Sequence, residues 1–85
     1  MNNAYLKIPE SVTNSWKLCS SAKLLYGYIS LLSHQNGFCY ATNSFLAKTM
    51  YVTPRTITRL IGELKDANFI KISYTENHVL RIYLV

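Results

Sequence analysis

The chain has 85 residues, of which 49% are apolar and 15% charged, enough for one small domain with its own core. This length excludes a two-domain enzyme with a deep cleft between its halves. Nine Lys and Arg residues against four Asp and Glu residues give a net charge of +5, and residues 11–62 contain no acidic residue. Such a continuous region of unopposed positive charge favours a polyanionic partner, with nucleic acid as the first candidate.

Other classes of protein fit the sequence less well. No apolar run approaches the ~20 residues that cross a bilayer, and the N-terminus lacks the pattern of a secretory signal. Cys19 and Cys39 form no CxxC pair, so we expect two reduced, mostly buried thiols. The acidic residues are scattered and His34 and His78 lie far apart in the chain, which argues against an enzyme. We therefore expect a cytoplasmic domain with no metal, cofactor, small-molecule substrate or membrane partner.

The first half of the chain contains one strong predicted element. Residues 5–8 could form a short strand or an extended arm, and residues 9–16 could add a helical turn. Ser20 is the predicted N-cap of a helix that runs to about residue 33. This helix is apolar around most of its circumference, so it is buried on most sides or meets a partner. Asn36 and Gly37 tolerate positive φ and are predicted to end it.

Two further helices follow a short segment at residues 38–40, which has room for a single strand bridge. Thr42 is the predicted N-cap of a two-turn helix over residues 43–50. Thr53 followed by Pro54 is a clear start signal for the next helix, which is predicted to reach about residue 67 and to stop at Asn68. The residues predicted to be buried in these two helices are Phe45, Leu46, Met50, Ile57, Leu60, Ile61 and Leu64.

Alternating apolar residues after Asn68 predict a C-terminal hairpin. Placing the apolar residues on one face pairs Ile72 with Ile82, Ile70 with Leu84 and Tyr74 with Leu80, with residues 76–78 as the loop. The chain stops at Val85 inside an apolar strand, which suggests that residues 1–85 are a single domain excised from a longer chain.

Two segments carry a resemblance to known proteins. Residues 46–64 contain, in order, Leu46-Ala47, a turn, Val52-Thr53, Thr56-Ile57, Arg59 and a Leu near the helix end. This pattern resembles the winged helix-turn-helix family. Residues 18–26 resemble the opening of winged helix domains at the N-termini of phage and plasmid replication proteins. The resemblance implies an α+β fold with a three-helix core and a β-hairpin wing. Tyr51 departs from the pattern, because the family often has Gly in the turn, and a Tyr with the same geometry is strained.

The residues themselves point to double-stranded DNA independently of the resemblance. With the apolar face of the last helix turned inward, Arg55 and Arg59 lie on its exposed face, and Arg bound to guanine is the commonest specific contact in the major groove. The N-terminus of the preceding helix suits a phosphate, and the hairpin tip could enter a minor groove. The predicted DNA-binding residues are Thr42, Asn43, Ser44, Lys48, Thr53, Arg55, Thr56, Thr58, Arg59, Asn77 and His78.

A second use of the domain stays open at this stage. Leu24, Tyr28 and Leu31 form another apolar stripe on the first long helix, and it could be a protein interface or the seam of a homodimer. The N-terminal segment could instead cover it, with Tyr5, Leu6, Ile8, Val12 and Trp16 as candidates. By resemblance, we expect origin recognition in phage or plasmid replication, with a replication-machinery protein as a further partner. A transcriptional regulator is the alternative, and a winged helix that binds only proteins is the alternative of another class.

Overall fold

The computed structural model describes residues 8–34, 37–40, 42–74 and 80–85, with only the backbone described at Leu80. The arm predicted from residue 5 onward lies mainly outside these residues, as do Asn36 and the hairpin tip with Asn77 and His78. The helices are α1 (Glu10–Thr13), α2 (Ser20–Ser33), α3 (Asn43–Met50) and α4 (Pro54–Asp66). The strands are β1 (Ile70–Tyr74) and β2 (Leu80–Leu84). The order agrees with the expected α+β class, and α1 is the helical turn predicted within residues 9–16.

The core lies where α2, α4 and the hairpin meet. Leu25 and Ile29 of α2 are fully buried, and α4 contributes the four apolar residues predicted from its periodicity. Ile82 of β2 and Leu46 of α3 are also fully buried. Burying a large aliphatic side chain contributes about 1.5–3 kcal/mol, so this core holds α3 and α4 in a fixed relation.

The hairpin has the predicted register. Ile70 pairs with Leu84, Ile72 with Ile82, and Tyr74 with Leu80. The predicted single bridge is also present, because Cys39 exchanges two backbone hydrogen bonds with Ile82, of 2.8 and 2.7 Å. The inner face of β1 is buried at Ile70 but exposed at Tyr74, so β1 moves away from the core towards its C-terminal end.

Three predictions about individual residues were wrong. Ser20 is the first helical residue of α2 and Cys19 is the N-cap, because the Cys19 carbonyl already accepts from Lys23 N–H. Phe45 is 50% exposed, since Leu46 and Ala47 occupy the inner face of the short α3. Of the two thiols, only that of Cys39 is buried, whereas Cys19 is exposed; no disulfide joins them.

The N-terminal segment covers part of the core. Val12 is fully buried and Ile8 packs against the core, whereas Trp16 is 87% exposed and covers nothing. Lys23 Nζ donates to the Thr13 carbonyl at 2.6 Å and so ties α1 to α2. None of the helices in the described part of the chain is long and apolar enough to cross a membrane.

Candidate nucleic-acid interface

The turn between α3 and α4 consists of Tyr51, Val52 and Thr53. Tyr51 has φ 57° and ψ 42°, the left-handed conformation that glycine adopts most easily. Val52 N–H donates to the Ala47 carbonyl at 3.0 Å and Tyr51 N–H to the Lys48 carbonyl at 3.4 Å, which is the Schellman pattern. The turn therefore has the positive-φ geometry that the resemblance implied, with a Tyr in the strained position, and the Tyr51 side chain is 95% exposed.

Helix α4 starts with a side-chain cap. The Thr53 hydroxyl accepts from Thr56 N–H at 3.2 Å, and Pro54 occupies the first turn of the helix, where its missing N–H matters least. The two threonine hydroxyls also lie 3.0 Å apart. Both predicted contact residues thus take part in the cap at the start of α4.

Arg55, Arg59 and Gly62 share one face of α4 at spacings of four and three residues, with both arginines exposed and Gly62 half-buried. Arg55 is exposed and makes no hydrogen bond or ion pair with the described residues. A Cβ placed on Gly62 would meet no described atom within 4 Å, so packing does not require glycine there. This face therefore carries two arginines in the N-terminal half of the helix and no side chain at position 62.

Helices α3 and α4 are joined by a side-chain hydrogen bond between two predicted contact residues. Asn43 Nδ2 donates to Thr58 Oγ1 at 3.1 Å, and Thr58 Oγ1 donates to the Pro54 carbonyl at 3.2 Å. The hydroxyl proton and one lone pair of Thr58 are therefore already in use. These contacts fit a positioning role for Thr58 better than a base contact.

Two of the remaining predicted residues, Ser44 and Lys48, line a surface depression beside the turn. The Thr42 hydroxyl caps α3 by accepting from Phe45 N–H at 3.0 Å, while Ser44 and Lys48 are exposed. The depression has a volume of about 490 Å³ and is lined by Ser44, Ala47, Lys48, Tyr51, Val52 and Pro54. Its one cation and two hydroxyl groups suit a phosphate. Tyr51 also lines this depression, although the sequence pattern did not mark it as a candidate.

Glu63 is the second residue whose part in the site was missed. The Glu63 side chain is only 26% exposed and pairs with Arg59, with Nη1 and Oε2 2.9 Å apart. The same carboxylate accepts from Cys19 N–H at 3.2 Å. Residues 19 and 63 are far apart in the chain, so no local pattern could have shown this contact.

Asn77 and His78, the predicted minor-groove residues, lie outside the described residues. The guanidinium of Arg81 lies 4.7 Å from the ring centroid of Phe38, a cation–π contact within the domain.

The apolar stripe on α2 stays at the surface. Leu24 and Leu31 are each 40% exposed and Tyr28 is half-buried. The residues described here contain no group of three or more His, Cys, Asp or Glu side chains that could hold a metal ion.

Comparison with known proteins agrees with this architecture. The model of a family described as a helix-turn-helix domain matches residues 17–70, more than half of the chain. A solved structure described as the N-terminal domain of a DNA-binding protein aligns with a TM-score of 0.73 at 17% identity, over 95% of this chain and 73% of that chain. At that identity the likeness shows the fold alone. No curated protein matches the sequence. With its third and fourth helices joined by a short turn and followed by a hairpin, the chain has the winged helix-turn-helix fold and belongs to the helix-turn-helix domain family.

Proposed function

We propose that this domain binds double-stranded DNA in a sequence-dependent way by placing α4 in the major groove. The observation that carries the proposal is the face of α4 with Arg55 and Arg59 exposed and Gly62 in open space. A helix fits the major groove of B-DNA, and arginine can bind the O6 and N7 atoms of guanine with two hydrogen bonds. Arg55 and Arg59 are the proposed base-reading residues, with Thr56 beside them. The proposal assigns no catalytic step to the chain.

Backbone contacts complete the proposed interface. Ser44, Lys48 and Tyr51 line the depression beside the turn, and phosphate contacts of this kind fix the register of a protein on the duplex without reading sequence. Thr42 and Asn43 stand at the N-terminus of α3, which favours negative charge. In the fold, Thr53 and Thr58 hold the recognition helix in place, the former as its cap and the latter through Asn43.

For the biological role we propose origin recognition in phage or plasmid replication, with regulation of transcription as the alternative. The support is the resemblance of residues 18–26 to the opening of replication-protein domains. Within that segment, Ala22 and Leu25 are buried in the core, and Lys23 Nζ donates to the Thr13 carbonyl. These contacts stabilise the fold and are compatible with either role.

A protein-binding function is the second candidate, and the exposed Leu24 and Leu31 favour it. Fluorescence anisotropy of a randomised duplex pool across a salt series separates the two candidates. The affinity that comes from phosphate contacts falls steeply with salt. A sequence-specific protein also binds some duplexes of the pool more tightly than others. Absence of binding at low salt would leave the α2 stripe, as a homodimer seam or a docking face, as the functional surface.

A further inference from the structure

The Glu63 carboxylate connects the proposed reading face to a different helix. Its Oε1 accepts from Cys19 N–H at 3.2 Å, and its Oε2 lies 3.6 Å from the Cys19 thiol sulfur. Arg59 Nη1 donates to the same Oε2 at 2.9 Å. The carboxylate therefore bonds both to the N-cap residue of α2 and to an arginine of α4.

The contact acts on one of the two reading arginines only. The Arg59 side chain remains 62% exposed, so it is accessible to a ligand although one N–H is bound. A guanidinium has five N–H donors, and a guanine edge needs two of them. Arg55 has no hydrogen-bond or ion-pair partner among the described residues. The two arginines thus differ in how far their side chains are ordered before DNA arrives.

We propose that Glu63 is a positioning residue that determines specificity. It holds the Arg59 side chain in the orientation that reads one base pair, although the negative charge of Glu63 repels the phosphates. The proposal rests on the proposed DNA-binding function. A pre-ordered side chain loses less conformational entropy on binding and tolerates fewer alternative contacts. Discrimination at the base pair of Arg59 therefore depends on Glu63, whereas discrimination at the base pair of Arg55 does not.

The two effects of Glu63 have opposite signs, which makes them separable. In Glu63→Gln the carboxamide oxygen can still accept from Cys19 N–H, but the negative charge near the phosphates is gone. Affinity for every duplex should rise, while discrimination at the base pair of Arg59 should fall about three- to tenfold, part of what one base-reading arginine provides. Asp66→Asn is the matched control, because it removes the same charge from α4 and Asp66 has no bonded partner among the described residues. It should raise affinity without changing discrimination.

The experiment measures anisotropy with a set of duplexes that each differ from the selected site at one base pair. Arg59→Ala first identifies its base pair, and Arg59→Ala combined with Glu63→Gln should show no further loss there. Glu63→Asp keeps the charge but shortens the side chain, so it should lower discrimination without raising affinity. Nitrogen-15 relaxation of Arg59 Nε in the DNA-free protein should show greater mobility in both Glu63 variants.

The outcomes distinguish this inference from the function on which it rests. If Glu63→Gln and Asp66→Asn shift all duplexes alike and the discrimination at the base pair of Arg59 is kept, Glu63 is a structural tie and the inference is wrong. If the wild-type domain binds no duplex, the proposed function fails and this inference fails with it. Thermal melting of each variant verifies that the fold is intact.

Discussion

Gly62 is the residue whose presence the fold explains least. It lies inside α4, where glycine makes the helix less stable than alanine does by about 1 kcal/mol. A Cβ at this position would meet no described atom within 4 Å. Arg55 and Arg59 share its face. A glycine there fits close approach of a ligand backbone to the helix, which a methyl group would obstruct.

Gly62→Ala should therefore raise stability and weaken DNA binding at the same time. The free energy of unfolding, measured in urea, should increase by about 0.5–1 kcal/mol. Affinity for the selected duplex should fall several-fold. Gly37→Ala is a control in which stability should change in the opposite direction. Gly37 has φ 78°, where a side chain is strained, so this variant should be less stable than the wild type. Unchanged DNA affinity in Gly62→Ala would mean that nothing approaches α4 closely at this point.

At the scale of elements, the start of α4 combines a structural and a proposed functional task. The Thr53 hydroxyl caps the helix through Thr56 N–H. The free N–H groups and the helix dipole at the same end favour a phosphate. One substitution can separate the two tasks, because aspartate caps a helix as well as threonine does but carries a negative charge.

Thr53→Asp should fold like the wild type and bind DNA poorly. Its unfolding free energy should change little, whereas Thr53→Ala should lose about 1 kcal/mol because it removes the cap. In anisotropy, Thr53→Asp should weaken binding to all duplexes, more strongly at low salt, since the added charge repels the phosphates. If Thr53→Asp binds as tightly as Thr53→Ala, the N-terminus of α4 does not face the DNA backbone.

Most elements could be predicted because their signals are local. A Thr cap followed by Pro fixed the start of α4, and strict alternation in β1 and β2 left one register that buries Ile70 and Ile82 together. Predictions failed where a residue's surroundings come from distant parts of the chain. Phe45 lies at an apolar position, but α3 has too narrow an inner face to bury it. Glu63 meets Cys19 only because α2 crosses α4, and this crossing has no signature in either segment.

At the scale of the whole molecule, one core residue makes the stability of the domain depend on pH. Tyr26 of α2 is buried, and its ring meets that of Phe69 edge to face, with centroids 6.3 Å apart. Burial raises the pKa of the Tyr26 hydroxyl above its usual value of 10.0. The folded state therefore holds this proton more tightly than the unfolded state does. The resulting stability is present below pH 10 and is lost as the pH rises through and beyond that value.

Tyr26→Phe should remove this part of the alkaline destabilisation. Urea midpoints of the wild type and the variant, compared between pH 8 and pH 11, should diverge only above about pH 10, where the wild type loses stability faster. Because Tyr26 lies in the core and not on the proposed interface, DNA affinity at neutral pH should be the same for both proteins. Parallel curves over the whole range would show that Tyr26 ionises equally easily in the folded and unfolded chains.

The distribution of charge over the whole chain agrees with the proposed function. The stretch without acidic residues folds so that Lys48 and Arg55 stand on either side of the turn, and the first acid beyond it, Glu63, is bound to Arg59. Two basic residues of this stretch therefore lie beside the start of α4, where the proposed interface would meet a polyanion.

The central claim is that Arg55 and Arg59 read bases, and its most direct test is anisotropy of single alanine variants on the selected duplex and its single-base-pair substitutions. Each variant should lose about 1–3 kcal/mol on the selected duplex and lose discrimination at one base pair. Lys48→Ala should instead weaken all duplexes alike and reduce the salt slope by about one. If Arg55→Ala and Arg59→Ala both bind every duplex as the wild type does, α4 is not the recognition helix and the account is wrong.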